Sequence, residues 1–363
     1  MGLGRQCGVI DFAALLLVML LAACGQRGDV NVGSSATLLA TNEVEGAAGS
    51  PTVTAVMEVT ATQPAATTLT ATPAVAPTEV VAARTPETGE EIAFDGQRAY
   101  EQLQAQMAFG PRWPGSPAHD EAGDYIVSEL EALGWQVEEQ FFDYQGAQGR
   151  NIIARANLDL KDAIILGAHY DTRRLADQTP GAAEEQRPVP GAVDGASGVA
   201  VLLELARSLD LDQVSGEVWL AFFDLEDNGG GAIAGWDWIV GSTYMAQNLS
   251  IAPDAVRAMI LVDMIGDVDQ QLYYEGNSDE KLREEIWDVA AGLGYDNAFV
   301  PEVKYTMIDD HVPFTRQGIP AVDIIDFDYP YWHTTEDTAD KASAESLERV
   351  GRTLEVWLQS RLD

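Results

Sequence analysis

From residue 93 onward, short apolar runs alternate with amphipathic stretches. Residues 163–168, AIILGA, are apolar without a break, the pattern of a strand buried on both faces. Residues 217–224, 256–263 and 319–325 repeat that pattern and predict three further buried strands. Residues 135–142 and 151–156 predict a strand pair. In residues 122–133, Ile126, Leu130 and Leu133 recur at helical spacing. Residues 198–209, 279–291 and 344–358 also read as helices. Strands alternating with helices predict an α/β domain with a doubly wound, mostly parallel sheet flanked by helices. In such sheets ligands bind beyond the carboxyl ends of the strands.

Residues 25–86 lack this periodicity. Thr, Ala, Val, Pro and Ser dominate, with few charges and no aromatic residue. Such a segment buries too little apolar surface to offset its ordering entropy, so it reads as a disordered stalk. Residues 13–23 form an apolar run preceded by Arg5. The run is shorter than the roughly 20 residues a membrane span needs, and it suits the core of a secretory signal. It ends in Leu21-Ala22-Ala23-Cys24-Gly25, which resembles the lipobox of bacterial lipoproteins. That resemblance implies lipidation of Cys24 and an exported lipoprotein on the cell envelope or outer face of a membrane. The expected plan is a signal peptide at 1–23, a stalk at 24–92 and one domain at 93–363.

Charge removes several functions. With 58 acidic and 21 basic side chains the net charge is −37. Such a surface repels phosphates, which excludes nucleic acid as a partner, and it does not dock on anionic lipid heads. The membrane is then reached only through the lipid anchor. Two Cys cannot build a disulfide framework. The acidic excess also has a sharper reading, as carboxylate ligands for a cation. Only four His are present, so each can be followed individually.

The chemistry-bearing residues fall at predicted strand ends. The strand in 164–171, IILGAHYD, delivers His169 and Asp171 on one face. Asp194 lies among small residues in PGAVDGASG, just ahead of a helix. Small residues there let the backbone approach a ligand closely; the alternative is that Asp194 or Ser197 simply caps the helix. One strand exits into Asp224-Leu225-Glu226-Asp227, and another into Asp263. Asp309-Asp310-His311 precedes Pro313, and YPYWHTTED carries His333. Residues 175–189 read as a flexible insert at the pocket mouth, and His119 as a surface residue at a helix start.

In order, H-x-D, D-G-x-S-G, a strand leading into an acidic pair, a strand ending in Asp, and W-H-T-x-x-D resemble peptidase family M28. That family comprises zinc exopeptidases and includes the glutaminyl-peptide cyclotransferases. The resemblance covers residues 97 to 363. In the aminopeptidase pattern it implies that Asp194 bridges two zinc ions. Asp227 and His333 complete one site, and His169 and Asp263 the other. Glu226 is then the general base, and Asp171 orients His169. This chain has Asp227 where the family usually has Glu.

The cyclotransferase pattern implies one zinc ion on Asp194, Asp227 and His333, with Glu226, Asp263 and Asp310 as a catalytic acidic network. FGPRWPGSP at 109–117 and DDHVPFTRQGIP at 309–320 resemble this branch. Trp332, Trp236 and His311 are then expected to line the substrate pocket. The cyclase reading, conversion of an N-terminal Gln to pyroglutamate with loss of ammonia, is preferred over aminopeptidase hydrolysis. Both take peptide or protein N-termini as substrate. A metal-free binding module is the third reading. A serine or cysteine hydrolase is disfavoured, since no G-x-S-x-G elbow is present.

Overall fold

In the computed structural model, residues 93–181 and 183–360 are described. The signal segment 1–23, Cys24 and the stalk 24–92 lie outside the described residues. In chain order come α1 (Gly96–Phe109), α2 (Pro117–Ala132), β1 (Gln136–Tyr144), β2 (Ala147–Ala156), β3 (Ala163–His169) and α3 (Ala196–Ser208). Then follow β4 (Glu217–Phe223), α4 (Val240–Gln247), β5 (Val256–Asp263), β6 (Leu272–Glu275) and α5 (Glu280–Gly292). The chain continues through β7 (Phe299–Tyr305), α6 (Val312–Arg316), β8 (Ala321–Ile325) and α7 (Ala344–Gln359).

The main sheet runs β1-β2-β4-β3-β5-β8. Strands β4, β3, β5 and β8 are parallel, while β1 and β2 form an antiparallel hairpin added at the β4 edge. The fold is thus the expected mixed α/β sheet flanked by helices. Side chains of the parallel strands alternate between two cores, because successive residues point to opposite faces. Ile164, Leu166, Leu220, Ile260 and Val322 face α1, α2, α3, α5 and α7. Ile165, Trp219, Ala221, Met259 and Leu261 face α4 and α6. Helix α3 reaches the sheet closely only because residue 198 is Gly: a Cβ there would lie 2.3 Å from the Val262 carbonyl oxygen.

Several elements were not foreseen. Helix α1 buries only Ala99, Leu103 and Gln106 beyond its first residue, too narrow a stripe to stand out. Strands β6 and β7 form a separate two-stranded sheet, and β7 is largely exposed. The stretch 175–189 is stitched back to the domain rather than lying free. Gln178 N donates to the His333 carbonyl at 3.2 Å, and Ala176 N donates to the Arg187 carbonyl at 2.8 Å.

His119 corrects an expectation, because it is buried rather than on the surface. Ser116 caps α2 by accepting from His119 N, and that cap turns the imidazole inward. His119 Nε2 lies 2.7 Å from Asp224 Oδ1, and the ring stacks on Tyr170 at 5.2 Å. Asp224 Oδ2 also accepts from Arg150 N at 2.8 Å. This pair ties α2 to the end of β4, where the acidic loop begins.

Burial alone would lower the His119 pKa, but the Asp224 charge and hydrogen bond raise it. A raised folded value contributes stability that is complete below the unfolded value, about 6.5, and lost as pH rises through the folded one. The His119 ring should therefore titrate above about 6.5 in the folded protein, read by its ring carbon shifts in NMR. A midpoint at or below that value contradicts the assignment. His119→Ala should cost about 1–3 kcal/mol in denaturant unfolding at pH 6, since it removes a buried hydrogen bond to Asp224 while Arg150 N and Leu225 N still donate to that carboxyl.

Candidate metal centre

The centre is assembled from the carboxyl ends of β3, β4 and β5 and the turn holding His333. His169 ends β3 with its ring 1% exposed. Its Nδ1 lies 3.1 Å from the Asp171 carbonyl oxygen, so Nδ1–H donates there. Nε2 is thereby aimed at two carboxylates, Asp194 Oδ1 and Asp263 Oδ1, each at 3.2 Å. Asp171 holds His169 through its backbone carbonyl. Its carboxylate does something else, accepting from Glu226 N at 3.0 Å, Asp227 N at 3.4 Å and Asn228 Nδ2 at 3.1 Å. The H-x-D spacing therefore fixes both the imidazole and the acidic loop after β4.

Asp194 does not cap α3. The cap position is Gly195, at φ +101°, with no side-chain cap bond. A Cβ on Gly195 would lie 3.0 Å from the Asp171 carbonyl oxygen and 3.2 Å from His169 Cε1, so Gly lets this loop close on β3. Backbone N–H groups of Val193 and Asp194 donate to Asp337 Oδ1 and Oδ2 at 2.9 and 3.2 Å. Ser197 Oγ donates to the Val193 carbonyl at 2.5 Å and accepts from Ile265 N at 3.2 Å.

The second group is Asp194, Asp227 and His333. His333 Nε2 lies 2.9 Å from Asp227 Oδ1 and 3.7 Å from Asp194 Oδ2. One donor atom from each of these residues lies within 4.8 Å of the others, and the same holds for His169, Asp194 and Asp263. Asp194 Oδ2 and Asp227 Oδ2 are buried without a hydrogen-bond partner among the described residues. Leaving two carboxylate oxygens dry and unpaired is costly unless a cation takes them. Two carboxylates and an imidazole are donors that suit zinc. Asp227, despite being a methylene shorter than Glu, reaches His333 directly.

The backbone is strained at these positions. Leu225, Met264 and His333 have φ of +56°, +47° and +55°. Each such residue costs on the order of 1–3 kcal/mol, and such residues persist where surroundings over-determine them. Two flank the strand-end acids and the third is a donor itself, so the strain serves to aim the site.

Glu226 is 9% exposed and lines a cavity of about 360 Å³ together with Asp194, Asp227, Asp263, Asp309 and His333. Burial, and then the charges of Asp227, Asp310 and Asp309, push its carboxyl well above the usual range, against the opposing charge of His169. Burial and the Asp263 charge push Asp309 up to about 7. Burial and the Asp194 charge push Asp227 up to about 6, against His333. Burial opposes protonation of His333, but Asp227 and Asp177 raise it to about 9.

The expected catalytic acid Asp310 and two expected pocket residues, His311 and Trp236, are placed elsewhere. Asp309, not Asp310, lines the cavity; Asp310 is fully buried behind it, with its N–H donating to Asp309 Oδ1 at 2.6 Å. His311 is fully buried, with Nε2 3.2 Å from Glu275 Oε2 and Nδ1 3.8 Å from Asp323 Oδ2. Trp236 stands edge-on to Tyr144 at 5.6 Å, outside the cavity. Trp238, two residues on, takes the wall position and stacks on His333 at 5.9 Å and 9°. Trp332 does line the cavity, stacked on His333 at 3.8 Å, and Phe327 packs edge-on to Trp332.

Two arginines hold this site together without having been singled out in the sequence. Buried Arg112 donates to the carbonyls of Tyr170, Pro190 and Gly191, at 3.2, 3.2 and 2.5 Å. It thereby joins the loop carrying Asp171 to the loop carrying Asp194. Burial lowers its pKa to about 10, against the charges of Asp337, Asp194 and Asp171. Arg173 donates to the Asp227 carbonyl at 2.9 Å and lies over the Trp238 ring. The signal for Arg112 was its place in the Gly-Pro-rich segment 110–115; Arg173 had none.

Comparison with known proteins follows the same lines. The chain is 28% identical over 295 residues to the glutaminyl-peptide cyclotransferase of Boiga dendrophila, covering 69% of this chain and 78% of the relative. It is similar to a glutaminyl cyclase of Bacteroides thetaiotaomicron solved with N-acetylhistamine, at 34% identity and TM-score 0.70, covering 74% of this chain and 99% of that one. It is equally similar to a leucine aminopeptidase precursor from Bacteroides thetaiotaomicron, at 33% identity and TM-score 0.71, covering 75% and 99%. The family model for peptidase family M28 matches residues 151–358, more than half of the chain, and the chain therefore belongs to peptidase family M28.

Proposed function

We propose that this enzyme converts an N-terminal glutamine of peptides to pyroglutamate, releasing ammonia, with one zinc ion held by Asp194, Asp227 and His333. The observation that carries the reading is the asymmetry of the two donor groups. The Asp194–Asp227–His333 group presents two orphaned carboxylate oxygens, one on each acid. In the other group Asp263 has no orphaned buried oxygen, and its Oδ1 lies 3.2 Å from His169 Nε2. The glutaminyl-peptide cyclotransferase relatives and glutaminyl cyclase structures support the same reading.

Zinc, when bound there, supplies a Lewis acid for the γ-carboxamide oxygen of the substrate. The remaining chemistry belongs to the chain. The substrate's α-amine attacks its own γ-carbon, and this intramolecular geometry lowers the entropic part of the barrier. Glu226 takes the proton released by the amine and delivers it to the departing ammonia. Burial raises its pKa above the usual carboxylate range, which favours a carboxylate that takes up a proton and returns it. Asp263 and Asp309 line the same cavity as Glu226. Trp238, Trp332 and Phe327 line the cavity with apolar surface, which keeps water from competing with the amine.

A second reading, aminopeptidase hydrolysis, is favoured by the His169–Asp194–Asp263 group, which could also hold a metal. There Glu226 activates a water, and the N-terminal residue is released. The lipobox-like segment supports the further proposal that Cys24 carries a lipid anchoring the enzyme to the cell envelope.

Incubated with a glutaminyl and a leucyl peptide, the protein should make the first lighter by one ammonia and leave the second intact, as read by mass. Loss of the first residue from either peptide points instead to the hydrolase. Metal analysis should give one zinc per chain for the cyclase and two for the aminopeptidase. Glu226→Gln should lower kcat by about 10²–10⁴-fold while zinc content stays constant. In cells fed a labelled fatty acid, Cys24→Ser should abolish labelling; retained label would contradict the anchor.

A further inference from the structure

Beside the catalytic cavity lies a second concavity of about 430 Å³ between the end of β1 and α4. Trp238 and Ile308 line both, so the two spaces meet across those side chains. We propose that this groove is the binding site for the second and third residues of the peptide substrate, taking apolar side chains on its aromatic wall and a carboxylate on Arg316. The inference rests on the reading that the enzyme acts on peptide N-termini, and it holds for cyclisation and hydrolysis alike.

Either reaction seats the first residue against Glu226 and Asp194. The rest of the peptide must leave the cavity, and the groove continues from it. Ile308 is 67% exposed, an isolated apolar side chain on the rim between the two spaces. Phe142 and Tyr244 stack at 4.6 Å and 17°, so this wall is already ordered and loses little side-chain entropy on binding. An extended peptide advances about 3.3 Å per residue and alternates its side chains, so a chain leaving the cavity past Trp238 and Ile308 enters the groove with its next residues.

The charges in the groove differ in availability. Asp237 accepts from Tyr144 Oη at 3.1 Å, and its own N–H donates to that oxygen at 3.0 Å. Asp143 is exposed on the opposite wall. Arg316, at the end of α6, is exposed and makes no ion pair or hydrogen bond among the described residues. Its guanidinium fork lines the groove and suits bidentate pairing with a carboxylate.

Four peptide amides test the groove: Gln-Phe-Leu, Gln-Gly-Gly, Gln-Phe-Asp and Gln-Phe-Asn. The native enzyme should favour Gln-Phe-Leu over Gln-Gly-Gly by about tenfold in kcat/KM, and Gln-Phe-Asp over Gln-Phe-Asn by about fivefold. Thr243→Trp, which fills the groove from α4, should collapse the first ratio toward one. Arg316→Glu should invert the second ratio, and as a surface change it also serves if Thr243→Trp fails to fold. Ratios near one in the native enzyme, or unchanged in both variants, overturn the proposal. If no peptide is turned over, the functional reading fails separately, and calorimetric binding of the same four peptides to the native chain and to Arg316→Glu decides the groove. The same ordering in Kd, lost in the variant, supports it; equal Kd values overturn it.

Discussion

Everything at the working end of this molecule depends on how a knot of buried carboxylates is neutralised. Asp171, Asp194, Glu226, Asp227, Asp263, Asp309 and Asp310 are all below one-tenth exposed. Like charges packed this closely cannot all stay ionised without compensation. The fold supplies compensation of different kinds to different acids. Asp171 is met by backbone N–H groups and Asn228. Asp194 and Asp263 share the His169 imidazole. Asp309 and Glu226 are driven toward their protonated forms. Asp310, behind the cavity, is likewise pushed up by burial. Within the cavity, one oxygen each on Asp194 and Asp227 is left without a hydrogen-bond partner, and those oxygens face the candidate metal position.

The sheet makes this arrangement affordable in conformational terms. Parallel strands β3, β4 and β5 end side by side, so their exits fall around one point. Because β4 and β5 lie on opposite sides of β3, the crossover α3 and the loop after β4 leave in different directions and open a crevice there. Arg112 and Asp337 then clamp the loop carrying Asp194 through backbone groups rather than side chains. His119 holds the start of the acidic loop by a side-chain contact with Asp224. These are positioning contacts, and the left-handed conformations at Leu225, Met264 and His333 are what they hold in place.

Similarity to both a glutaminyl cyclase and a leucine aminopeptidase precursor at nearly equal identity follows from this economy. The proposed cyclisation and the alternative hydrolysis would use the same carboxylate, Glu226, beside the same Asp194–Asp227–His333 donor group. Overall identity does not separate the two.

The amino-acid pattern by itself determined the α/β class, the buried strands, the positions of His169, Glu226, Asp227 and Asp263 at strand exits, and Asp194 and His333 as loop residues to follow. Buried strands are uninterrupted apolar runs, so the polar residue that ends each run marks the place where a ligand can be met. Only the tertiary structure decided between neighbours. Asp309 rather than Asp310, and Trp238 rather than Trp236, face the cavity, because side-chain direction in a loop is set by how the loop is anchored. Nothing in the local composition of Asp309-Asp310 or Trp236-Asp237-Trp238 carries that information. The burial of His119 and His311 was likewise undetermined locally, since each is held by an acid far along the chain, Asp224 and Glu275. A sequence read segment by segment shows which residues can do chemistry; long-range contacts choose which of them are turned toward it.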